Sequence, residues 1–158
     1  MFGLSVLGAG FAQSAAPPAD AAGPAQTAPV ARAARTTPAC GSAVNGKNMA
    51  PSSRCFELRT YTLRPGGAGD IDLLHARFRE ATARLFAKHG MNIIGFWQPV
   101  AMPDTLVYML AYKDNATRDA QWAAFNADPE WVEARSRMNV DVTVVNVFMN
   151  ASDYSPIR

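Results

Sequence analysis

From residue 55 onward the sequence predicts an α+β domain: four strands of one antiparallel sheet and two main helices, in the order β-α-β-β-α-β. Segments rich in β-branched and aromatic residues recur at 56–63, 91–98, 105–112 and 140–149. Between the first and second, and between the third and fourth, apolar residues fall three and four apart, the spacing of a helix face. Clusters of Gly, Pro, Asp and Asn separate the segments and mark turns.

Phe56-Glu57-Leu58-Arg59-Thr60-Tyr61-Thr62-Leu63 is the first strand, ended by Pro65-Gly66-Gly67-Ala68-Gly69. Asp70 caps a helix to His89, with Ile71, Leu74, Phe78, Ala81 and Leu85 on its apolar face and Arg77, Glu80, Arg84 and Lys88 on the wet side. Gly90 supplies the left-handed position that ends it, where Lys88 and His89 complement the helix dipole. Met91–Gln98 and Thr105–Tyr112 form a hairpin around Met102-Pro103-Asp104. Asp114 or Asn115 caps a helix through Ala127, and Pro129 opens a short one carrying Trp131 and Val132. Val140–Met149 is the last strand. This order is the ferredoxin-like arrangement.

The chain divides by composition. Residues 1–54 hold 15 Ala and 6 of the 11 Pro but only two aromatics, Phe2 and Phe11. Such a stretch supplies no core. Residues 1–14 are expected to be a signal peptide, since Met1–Ala12 is apolar, too short to span a membrane, and followed by small-residue cleavage points near Gln13 and Ala15. Residues 15–54 read as an unstructured Ala/Pro-rich linker and 55–158 as the domain. The expected location is therefore periplasmic or secreted, where Cys40 and Cys55 would be paired.

Arg32, Arg35, Lys47 and Arg54 against Asp20 leave the domain a charge of −1 out of the chain's +2. A domain without a basic stripe argues against nucleic acid as partner. His75 and His89 lie on one helix about 21 Å apart by rise, too far for a shared metal. No nucleophile elbow or phosphate loop is present, so no cofactor is expected, and the Gly66–Gly69 stretch reads as a turn.

The first strand from Phe56 through Leu63-Arg64-Pro65-Gly66 resembles the "ELRTYTLKPG" opening of NIPSNAP domains, and Lys88-His89-Gly90 with Gly95-Phe96-Trp97 is similar to their "KHG…GYW" stretch. Tyr108–Tyr112, Arg118-Asp119, Phe125–Trp131 and Asp153–Pro156 resemble the second half in order. The resemblance implies a dimeric α+β barrel, a group that includes cofactor-independent monooxygenases, lactone isomerases and haem-handling enzymes. It carries over no catalytic residue.

Two readings follow. In one, a homodimer holds a small apolar or aromatic ligand, in a pocket between helix and sheet or inside the barrel. Trp97 and Tyr108 would line it, and Arg59, Tyr61 and His89 would be its polar groups. Trp122 and Trp131 are further aromatics at hand. In the other, the domain is a non-catalytic dimeric scaffold, and Glu57–Arg59 is a structural pair. Either way Phe56 and Leu58 suggest that their face of the first strand meets the helices, so that Glu57, Arg59 and Tyr61 face a partner sheet.

Overall fold

The computed structural model describes residues 38–158, so the expected signal peptide and residues 15–37 of the expected linker lie outside it. Its elements are β1 (Cys55–Leu63), α1 (Ile71–Arg77), a π-helical turn (Phe78–Thr82), α2 (Ala83–Lys88), β2 (Asn92–Trp97), β3 (Thr105–Tyr112), α3 (Asn115–Ala127), α4 (Pro129–Arg137) and β4 (Val142–Asn150). The strands form one sheet in the order β2-β3-β1-β4, and every pair is antiparallel. This is the expected ferredoxin-like α+β arrangement. No helix among the described residues is long and apolar enough to cross a membrane.

Local chemistry sets the ends of the elements. Asp70 accepts from the Leu73 amide at 2.8 Å, Asp114 from Thr117 at 2.8 Å, and Asp128 from Glu130 at 2.9 Å, so α1, α3 and α4 each start with a carboxylate on their free amides. Gly90 stands at φ +74°, a conformation that strains any residue with a β-carbon.

Two sidedness expectations are corrected. Glu57, Arg59 and Tyr61 pair with Leu110, Tyr108 and Leu106 of β3, and this face, not the one with Phe56 and Leu58, lies under the helices. The large residues of β3 alternate inward as Leu106, Tyr108, Leu110 and Tyr112, which settles the face for its neighbour. A polar row on β1 can go inside because α3 brings Arg118 to meet it. Arg77, expected on the wet side of its helix, is 5% exposed. It stands three residues after Leu74 and four before Ala81, at the edge of the apolar stripe, and the widened turn that follows it, where Thr82 Oγ1 donates to Arg77 O at 3.2 Å, belongs to the buried face.

In β2 an extra residue between Ile93 and Gly95 breaks the register. Phe96 thereby pairs with Tyr108 on the helix side, and Trp97 pairs with Val107 on the far side.

The linker expectation meets described residues only over 38–54, and there the chain is packed. Cys40 and Cys55 form a disulfide with Cα atoms 4.8 Å apart. Ala50 donates to Ala151 O at 2.9 Å, Ser53 Oγ accepts from the Ala151 amide, and Ala50 joins Phe56, Ala111 and Ala151 in a small cluster on the far side of the sheet. Composition misses this because backbone bonds, small residues and a disulfide, rather than large apolar side chains, hold the segment. The rest of that far side, with Trp97, Val145 and Val147 exposed, is uncovered.

Candidate functional site

Between the helices and the sheet lies a cavity of about 520 Å³. β1 contributes Arg59 and Tyr61, β3 Tyr108, the π turn Phe78 and Thr82, and the helices Arg77, Phe86, Arg118, Trp122, Phe125, Trp131 and Arg135. The aromatic rings meet edge to face: Tyr61 stands 5.2 Å from Tyr108 and 6.1 Å from Phe78, and Trp122 stands 5.6 Å from Phe86. Such a wall suits a flat or aliphatic body.

The polar part is built on Glu57, whose side chain is fully buried. Arg59 Nη1 donates to Oε1 at 2.6 Å, Arg118 donates to both carboxylate oxygens at 2.9 Å, and Tyr112 and Trp122 donate to Oε2 at 3.3 Å. Burial alone would raise the Glu57 carboxyl, but the Arg118 bonds and the two guanidinium charges outweigh it and hold the group below its ordinary value. The same balance keeps Arg59 charged: burial opposes its charge, and Tyr108, Tyr61 and Glu57 overcome the penalty. Burial pushes the Tyr108 and Tyr112 hydroxyls well up, so both remain donors.

Arg59 carries this network to the cavity wall. Its guanidinium lies 4.5 Å from the Trp122 ring centre, and Nη2 donates to the Tyr61 hydroxyl at 3.2 Å. Tyr61 also accepts from the Tyr108 hydroxyl at 2.9 Å, which leaves its own proton free to be given away.

Of the residues expected to form a site, Arg59, Tyr61 and Tyr108 are therefore together. His89 and Trp97 are elsewhere. His89 ends the helix, with Nε2 2.7 Å from Asp128 Oδ2, and neither residue lines the cavity. Trp97 is half exposed on the far side, and Phe96 takes the inward place. Sequence reasoning missed Arg77 and Arg118. For Arg77 the signal was its spacing from Leu74 and Ala81; for Arg118, nothing local pointed inward. Among the described residues no group of three His, Cys, Asp or Glu side chains is placed to hold a metal.

A sequence model of the NIPSNAP family matches residues 56–156, nearly the whole of the domain just described. The chain belongs to the NIPSNAP family. No curated protein sequence matches it. Crystal structures of family members match the NIPSNAP fold seen here. A NIPSNAP protein of unknown function from Agrobacterium tumefaciens is 19% identical, with a TM-score of 0.58 over 66% of this chain and 94% of that one. A second from the same bacterium is 20% identical, with a TM-score of 0.58 over 66% and 91%. An uncharacterised NIPSNAP-like domain protein from Burkholderia xenovorans is 24% identical, with a TM-score of 0.56 over 65% and 89%. At these identities the likeness is one of fold.

Proposed function

We propose that this NIPSNAP protein binds a small aromatic or apolar molecule in the helix-sheet cavity, as an exported homodimer joined through the uncovered side of the sheet. The cavity carries the reading. Its volume lies within the range of small-molecule sites, and its wall joins aromatic rings to polar groups, some of them fixed by second partners. Arg59, held by Glu57 and Tyr61, is such a group. The dimer is supported by exposed Trp97 at one edge of the sheet and Val145 and Val147 at the other, with Val107, Met109 and Leu58 between them on the same face, on a sheet that has helices on one side only. Export is supported by the Cys40–Cys55 disulfide, a bond that lasts in oxidising compartments.

The scaffold reading draws on one observation: Glu57 is fully satisfied without any ligand. Native mass spectrometry of the full chain separates the two. Ligand binding predicts a co-purifying mass, or binding by members of a panel of aromatic and aliphatic compounds. A dimer that stays empty against the whole panel supports the scaffold.

A further inference from the structure

We infer that the ligand of this cavity carries a single negative charge, a carboxylate on an aromatic or aliphatic body, and that Arg77 receives it. The inference rests on the cavity reading and adds the chemistry of the ligand's head.

Arg77 is the starting observation. It is 5% exposed, a depth at which a guanidinium is ordinarily paired with an acid. Among the described residues it stands in no ion pair, whereas Arg59 and Arg118, the other arginines deep in the wall, share Glu57. Its Nη1 donates to Met138 O at 3.2 Å, and its Nε is buried without an acceptor. The Trp131 ring, 5.6 Å away, offers only a partial counterpart. Burial lowers the Arg77 pKa, with Tyr61 opposing it and Arg135 adding to it.

Most acids around the cavity are already committed. Glu57 serves two arginines and Asp119 holds the outer side of Arg118, while Asp141, which lines the cavity, is in no ion pair among the described residues and accepts from the Ala68 amide. Arg77 inside and the exposed Arg135 outnumber Asp141 among the lining charges that stand outside ion pairs, so an anion is drawn inward. Two more donors on lining residues lack an acceptor. Arg59 Nε is buried with no acceptor, and the Tyr61 proton is free. A carboxylate offers two oxygens with lone pairs for such donors, and its one charge equals the one unmatched charge that is buried. A dianionic phosphate would carry twice that charge.

Calorimetric titration of the full chain with 2-naphthoate, with its neutral counterpart 2-naphthalenemethanol, and with 2-naphthyl phosphate tests this. Naphthoate is expected to bind wild type at least about tenfold more tightly than the alcohol. In Arg77→Met that preference is expected to vanish while the alcohol binds as before. The variant should melt at or above the wild-type temperature, because a buried charge without a partner has been removed. Arg77→Gln serves the same purpose if Arg77→Met does not fold. Equal affinities in wild type, or a preference that survives in the neutral variants, overturns the anion assignment and leaves the cavity reading standing. Tighter binding of the phosphate overturns the choice of carboxylate. Binding of none of the three up to about 1 mM removes the cavity reading and this inference with it.

Discussion

Arg118 closes on Glu57 with Nε and Nη2 each 2.9 Å from a different carboxylate oxygen, tying helix α3 to an inner strand of the sheet across 61 residues of sequence. The pair is bidentate, and Tyr112 and Trp122 donate to the same carboxylate. It allows a charged row on β1 to be covered by helices.

Glu57→Gln should therefore be costly. It leaves Arg59 and Arg118 without their shared acid, and a loss of roughly 3–5 kcal/mol is expected in urea unfolding. A loss below about 1 kcal/mol would show that the cluster matters little to stability.

The pH dependence follows with a definite sign. The Glu57 carboxyl is held below its ordinary value of 4.5, so its stabilising contribution is complete above that pH and fades as the pH falls below it. Wild type should lose melting temperature on acidification, and its advantage over Glu57→Gln should shrink. A constant difference between pH 7 and pH 3 would contradict the assignment.

The Cys40–Cys55 bond closes a loop with a sequence separation of 15, worth about 3 kcal/mol by loop entropy. Unfolding with and without reductant should differ by about that amount. Alkylation of two free thiols in the native purified protein would remove the bond from the account, and N-terminal sequencing that finds Met1 intact would remove export.

Val145→Asp with Val147→Asp places two charges on the exposed far side of β4. Light scattering should give a dimer for wild type and a monomer for the double variant. A wild-type monomer at micromolar concentration would end the dimer proposal.

His89 joins the end of α2 to the acid that caps α4. His89→Ala is expected to lower stability by roughly 2 kcal/mol, the scale of a hydrogen bond to a charged group. Its affinity for naphthoate should not change, because His89 does not line the cavity. A selective loss of binding would return His89 to the site.

The element order, the helix caps and the family were legible in the sequence because each depends on short-range signals: alternation, capping acids, turn residues and contiguous motifs. Sidedness was not. Which face of β1 turns inward depends on β3 and on Arg118, both far along the chain. Arg59, Tyr61 and Tyr108 could be named from a strand pattern, whereas Trp97 was misplaced by one extra residue in β2. A slip of one reverses every side chain after it.

The widened turn at Phe78–Thr82 carries a consequence of the same kind for the helix. An α-helix advances about 100° per residue, so removing one residue from that turn and restoring regular winding would rotate the preceding segment by about that angle relative to α2. Arg77 would swing off the cavity wall, and Leu74, fully buried on the same segment, would leave the core with it. Chain length at this one turn therefore fixes at once which residues of α1 fill the core and whether the Arg77 charge faces the cavity, as much as residue identity does.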